Sequence, residues 1–161
     1  MTPAILAWLQ SAHDRFVPFP GKTLEIGSYD VNGSPRSVFG NATSYFGIDQ
    51  SPGPGVDLVA NIHFFDNAEC FDLIICCEML EHDTNPLGTV AWMKHHLAPG
   101  GLLIATTPAN SFPYHAYPRD YWRFMPDFYT DIASDGMSLL ELVEIEGPTL
   151  CFIGHLAPCS L

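Results

Sequence analysis

Apolar residues fall in short, nearly continuous runs along this chain, punctuated by glycine, proline and aspartate. Leu24-Glu25-Ile26 ends at Gly27, Tyr45-Phe46-Gly47-Ile48 ends at Asp49, and Val56 to Ala60 ends at Asn61. The strongest run is Phe71-Asp72-Leu73-Ile74-Ile75-Cys76-Cys77, whose near absence of polar breaks predicts a central parallel strand covered on both faces. Leu102 to Thr106, Leu139 to Glu146 and Leu150 to Ile153 complete the predicted strands. Helical stretches lie between them. Residues 3–13 place Ile5, Leu6 and Leu9 on one side, and Val17 to Gly21 break that helix. A short piece is expected at 35–39 and another helix at 127–134. The helix at 86–97 starts after Thr84-Asn85 with Pro86 in its first turn, carries Lys94, His95 and His96 in its last, and stops at Pro99-Gly100-Gly101. Residues 51–55 read as a rigid loop and 108–126 as a long aromatic one. Alternating strands and helices predict an α/β fold, doubly wound and Rossmann-like, in a single domain spanning 1–161.

In such a sheet a ligand sits outside the carboxyl ends of the strands. Ser28, Asp49, Asn61, Glu78 and Thr107 all fall there, so they are expected to converge on one cleft. Gly27 and Gly33-Ser34 bracket the loop after the first strand. A strand, a glycine turn and a helix N-terminus can hold a ligand against backbone N–H groups. Asp49 follows at the spacing of about 20 residues where an acid grips ribose hydroxyls.

Eighteen acidic against six basic residues give a net charge of −12. That surface repels phosphate backbones and anionic lipids, which disfavours a nucleic-acid partner. The first residues lack a basic segment and a long apolar core, and no run reaches the length of a membrane span, so neither a signal peptide nor a membrane partner is expected. Five cysteines without C-x-x-C spacing predict reduced thiols, no zinc site and a cytoplasmic protein. His95 and His96 are adjacent on a helix and do not share a face, so no metal site is expected there either.

Four motifs carry a family resemblance. Leu24-Glu25-Ile26-Gly27-Ser28-Tyr29-Asp30-Val31-Asn32-Gly33-Ser34 resembles the first motif of class I S-adenosylmethionine-dependent methyltransferases, in a small bacterial and phage-type branch. Glu78-Met79-Leu80-Glu81-His82 resembles the motif after strand four, and Leu97-Ala98-Pro99-Gly100-Gly101-Leu102-Leu103 the entrance to strand five. The stretch from His115 through Pro118 and Asp120-Tyr121-Trp122-Arg123-Phe124 is similar to a segment of the same branch. The resemblance implies a seven-stranded sheet with its last strand antiparallel and S-adenosyl-L-methionine as cofactor. Gly27 and Ser28 would lie against the methionine part, Asp49 would accept from both ribose hydroxyls, and Gln50 would lie beside the adenine. Asn61 and Ile62 would meet the adenine edge, and the backbone at Cys77 and Glu78 the ammonium. The chain departs from the usual pattern in lacking a second glycine after Gly27 and in placing Asn61 where an aspartate is more usual.

The acceptor is expected to be a small molecule or an exposed side chain. Candidate catalytic groups are His115 and His82 as bases and Tyr121 in the wall of the acceptor site. Trp122 could share that wall while Arg119 or Arg123 grips an anion; alternatively Trp122 plugs the core and Arg123 pairs with an acid. His63 either stacks near the adenine or is a loop histidine, and Glu25 is expected to be held by the loop backbone or water. Glu78-Met79-Leu80-Glu81 stands where amino methylases of nucleobases show Asn-Pro-Pro-Tyr, which argues against that acceptor. Two other readings stay open: a non-catalytic module that binds the cofactor or a partner, and a nicotinamide-dependent oxidoreductase.

Overall fold

The computed structural model describes residues 1–18, 20–116 and 118–158. Phe19 of the expected helix break, Tyr117 of the aromatic loop and Cys159 lie outside them. The strands are β1 (Lys22–Ile26), β2 (Ser44–Asp49), β3 (Leu58–Val59), β4 (Phe71–Cys77), β5 (Leu97–Pro108), β6 (Ser138–Ile145) and β7 (Thr149–His155). They form one seven-stranded sheet in the order β3-β2-β1-β4-β5-β7-β6. The first five run parallel, and β7 is antiparallel to both β5 and β6.

Side chains of β4 alternate between two apolar layers, as a pleated strand requires. Leu73, Ile75 and Cys77 meet α1 (Pro3–Phe16) and α2 (Arg36–Phe39) through Ile5, Leu9 and Phe39. Ile74 and Cys76 join the layer that holds Val90 and Met93 of α3 (Pro86–His95), together with Tyr129 and Phe152. Each fully buried Leu or Ile contributes about 1.5–3 kcal/mol, so Leu73, Ile74 and Ile75 together stabilise the sheet by several such increments.

Three elements differ from expectation. The first helix extends to Phe16, because nothing breaks it before Pro18; Trp8 and Ala12 join its buried side, whereas Leu6 stays half-buried. Its Trp8 indole donates to Glu141 on the edge strand β6 at 2.7 Å. Helix α3 ends at His95, since Leu97 already pairs with Phe71; Pro99-Gly100-Gly101 therefore lies inside β5, at a break in register between Phe71 and Leu73. The third strand shrinks to Leu58–Val59, and the chain makes a 3-10 turn at Ile62–Phe64 on the way to β4. Residues 128–133 form a π-helical turn. Among the described residues no helix is long and apolar enough to cross a membrane.

Candidate active site

Most amides of the turn after β1 are already bonded within the protein. The N–H groups of Gly27 and Ser28 both donate to the Ile48 carbonyl, at 2.9 and 3.0 Å. Tyr29 N–H donates to Asp49 Oδ2 at 3.3 Å, Asp30 N–H to the Pro54 carbonyl at 2.9 Å and Gly33 N–H to Asp30 Oδ1 at 2.7 Å. Helix α2 is a single turn whose leading amides bond to Ser34. Much of the expected cradle of backbone donors is thus closed by the protein's own carbonyls and carboxylates, at Gly27 to Asp30 and at Gly33. Ser28 is corrected as well: it is buried against Gly47, and its side chain does not line the cleft. Gly27 serves by its shape. It sits at φ +80°, and a Cβ there would fall 2.7 Å from Met79 Cγ.

Beside Gly27 a cavity of about 190 Å³ has an apolar floor of Ile26, Ile48, Ile62 and Met79 and a polar rim of Asp49, Gln50, Asn61 and Asp83. Asp49 Oδ1 accepts from Ser51 N–H at 2.8 Å and Oδ2 from Tyr29 N–H, so each oxygen keeps one lone-pair direction for the cleft. The Asn61 side-chain oxygen caps the 3-10 turn by accepting from His63 N–H at 2.9 Å, which leaves its amide N–H₂ group for a ligand. His63 sits exposed in that turn, and its Nε2 is 2.6 Å from Asp83 Oδ1.

A pocket of about 110 Å³ on the other side of Gly27 is lined by Glu25, Asp30, Cys77 and Glu78. Glu25 is buried, and its partners are side chains rather than the loop backbone or water: the Tyr45 hydroxyl donates at 2.8 Å and Ser34 Oγ at 3.3 Å. Burial pushes its pKa up to about 7, against the pull of Tyr45. Glu78 ends β4 at φ +51°, a left-handed conformation that side-chain-bearing residues rarely adopt and that turns the chain into the cleft. Burial, reinforced by the nearby Glu81 carboxylate, raises its pKa, while Thr106 Oγ donates to it at 3.0 Å. Cys77 is buried with its pKa pushed up by desolvation, which makes it an inert thiol.

The two small pockets adjoin a larger cavity of about 350 Å³ that shares His82 with the first and Tyr29 with the second and adds Phe112, His115 and Pro118. His82 and His115 thus reach the cleft, with ring centroids 5.0 Å apart. Behind them lies Glu81, fully buried, a residue the sequence reading passed over. Its carboxylate stands 3.6 Å from both imidazole Nε2 atoms, and it raises the His115 pKa. The only signal for it was an acid beside a histidine in an apolar context, and its contact with His115 depends on the fold.

The aromatic loop resolves the open alternatives. Tyr121, expected in the acceptor wall, lines a shallow groove with Tyr114 and Trp122 that meets the large cavity at Phe112. The backbone N–H of Tyr121 donates to the Glu81 carbonyl at 2.8 Å, which turns its ring outward. Arg123 pairs with Asp120 and donates to the carbonyls of Phe112 and Pro113, so it holds the loop's shape; that pairing keeps Asp120 at about 2. Trp122 is half-exposed rather than a core plug, and its indole N–H donates to the Asp83 carbonyl at 2.7 Å. Trp122→Phe, which removes that donor and trims a half-exposed ring, should lower the free energy of unfolding by at least about 1 kcal/mol in denaturant titration. An unchanged midpoint would show that the bond does not anchor the loop. Thr107, expected in the cleft, is buried with its hydroxyl 2.8 Å from that of Tyr129.

A family model described as a methyltransferase domain matches residues 9–145. No curated protein matches the chain by sequence. Among solved structures, the N-methyltransferase NodS from Bradyrhizobium japonicum WM9, in complex with S-adenosyl-L-homocysteine, superposes with a TM-score of 0.74 at 18% identity, covering 94% of this chain and 85% of that one. The 1,6-didemethyltoxoflavin-N1-methyltransferase of Burkholderia thailandensis, with its substrate and S-adenosylhomocysteine bound, gives 0.77 at 13% identity over 94% and 78%. The SAM-bound amino pentose methyltransferase CalS10 from Micromonospora echinaspora gives 0.65 at 15% identity over 94% and 88%.

Proposed function

The chain belongs to the methyltransferase domain family, and we propose that it transfers the methyl group of S-adenosyl-L-methionine to a small-molecule acceptor bound beside His82 and His115. The observation that carries the reading is the pairing of an acidic pocket with a turn most of whose amides are already bonded. A dinucleotide needs free N–H groups for its pyrophosphate. S-adenosylmethionine has no phosphate, and its tail carries an ammonium that suits Glu25 and Glu78. Asp49 takes the ribose hydroxyls, Ile48 and Ile62 sandwich the adenine with Gln50 and Asn61 at its edge, and Gly27 leaves room for the methionine chain next to Cys77.

Transfer from a sulfonium is a direct displacement on an activated carbon, so the protein's main task is alignment of nucleophile, methyl and sulfur. The cavity of about 350 Å³ supplies the acceptor space. His82 and His115 are the groups placed there to act on an acceptor proton. The substrate bound in the Burkholderia thailandensis structure, 1,6-didemethyltoxoflavin, is a small molecule, which supports a small acceptor here. Free Cys70, Cys76, Cys77 and Cys151 support a reducing, cytoplasmic setting.

Incubation with S-adenosylmethionine and a panel of small amines, phenols and sugars should release S-adenosylhomocysteine in step with a methylated product. Saturable binding of a nicotinamide cofactor with none of S-adenosylmethionine would overturn the reading. Cofactor binding with no product from any acceptor would favour a non-catalytic module.

A further inference from the structure

We propose that Glu81, His82 and His115 form a binding site for a divalent first-row transition-metal ion at the acceptor side of the cleft. Among the described residues these three bring one ligand atom each to within 4.8 Å of one another. Glu81 Oε1 stands 3.6 Å from Nε2 of His82 and 3.6 Å from Nε2 of His115. Those spacings are too long for hydrogen bonds and close to the roughly 3.4 Å that separates ligand atoms around a tetrahedral ion bound at about 2.1 Å.

The independent observation is the state of Glu81. It has no exposed surface, and neither of its carboxylate oxygens has a hydrogen-bond partner. A buried carboxylate without a partner is costly, and a cation among these atoms supplies one. The far side of each imidazole is also arranged for ligation. His82 Nδ1 bonds to the Arg119 carbonyl, which requires a proton on Nδ1 and leaves the lone pair on Nε2. His115 Nδ1 has no hydrogen-bond partner but stands 3.3 Å from Asp120 Oδ2, a carboxylate that Arg123 holds in place. A carbonyl and a carboxylate behind two imidazoles are the outer partners that orient metal-bound histidines.

Two imidazoles and one carboxylate suit Zn²⁺, Co²⁺ or Mn²⁺ better than Ca²⁺ or Mg²⁺, which prefer all-oxygen sets. Three protein ligands leave a coordination position open. His82 and His115 line the large cavity, so that position faces the acceptor space. A bound ion would take an acceptor oxygen or nitrogen there and make its proton more acidic. This role, unlike the site itself, rests on the methyltransferase reading; as ligands, His82 and His115 hold the ion in place of acting as bases.

Chelator-stripped protein titrated with Co²⁺ tests the site by the visible d–d bands of a low-symmetry cobalt complex. One equivalent should saturate the signal, and Zn²⁺ should displace it. Glu81→Gln, which keeps the shape of a buried side chain, and His115→Ala, in a surface loop, should each weaken binding at least about tenfold. Cobalt affinity equal in wild type and both variants, or no saturable binding by wild type, would overturn the site and leave Glu81 as a partner of protonated imidazoles. Binding of S-adenosylhomocysteine, measured on the same stripped protein, should persist in either case. Its loss would count against the cofactor site, whereas the cobalt spectrum judges the metal site alone.

Discussion

Asp49→Ala weakens binding of S-adenosylmethionine by about 1–3 kcal/mol, roughly 5- to 150-fold. Each carboxylate oxygen of Asp49 already accepts one loop N–H, from Ser51 and from Tyr29, and each has a second direction open toward the cleft. Hydrogen bonds from hydroxyls to a carboxylate are stronger than those between neutral groups, so two of them account for the upper part of that range. Alanine also releases the Tyr29 and Ser51 amides and lets the loop move. Asp49→Asn separates the two effects. It keeps an oxygen for Ser51 N–H but turns one acceptor into a donor, and should still lose at least about fivefold while melting near the wild-type temperature. Equal affinity in wild type, Asp49→Ala and Asp49→Asn would remove the ribose from this position.

The second large effect is on stability. The Glu25 carboxyl is buried, and its pKa in the fold is about 7 against an ordinary 4.5, with desolvation the main cause. The folded chain therefore binds this proton more tightly than the unfolded chain does. Below pH 4.5 the group is protonated in both states and makes no difference. Between 4.5 and about 7 the unfolded chain ionises first, so stability falls as pH rises. Above 7 the loss is complete, at on the order of 3 kcal/mol. Glu25→Gln removes the titration while leaving a side chain that can bond to Tyr45 and Ser34. The difference in unfolding free energy between variant and wild type should thus grow toward the variant from pH 5 to pH 8. A constant difference across that range would show that Glu25 titrates near its ordinary value.

Much of the sheet was legible in the sequence because its strands are buried. A run such as Leu73 to Cys77 can satisfy its side chains only between two apolar layers, and it does. The cleft was legible where a residue's place follows from a strand end, as for Gly27, Asp49 and Glu78, which line one cavity. It was illegible where tertiary pairing decides. Ser28 stands next to Gly27 in sequence, but its amide shares the Ile48 carbonyl and its side chain turns into the interior. Tyr121 shares the distinctive loop with His115 but is turned outward by its backbone bond to Glu81. No local pattern could pair Glu81 with His115, and the expectation of no metal site rested on cysteine spacing and on His95-His96, which do not bear on that contact. Helix ends erred for a similar reason: Leu97 has helical neighbours but finds its hydrogen-bond partner on β4.

The central claim is that the cleft beside Gly27 holds the methyl donor, and isothermal titration of S-adenosylhomocysteine into the wild-type protein tests it most directly. The product lacks the reactive methyl, so the heat reports binding alone. One site per chain with a dissociation constant on the order of micromolar is the predicted result. A flat titration of folded protein up to millimolar ligand would contradict the assignment.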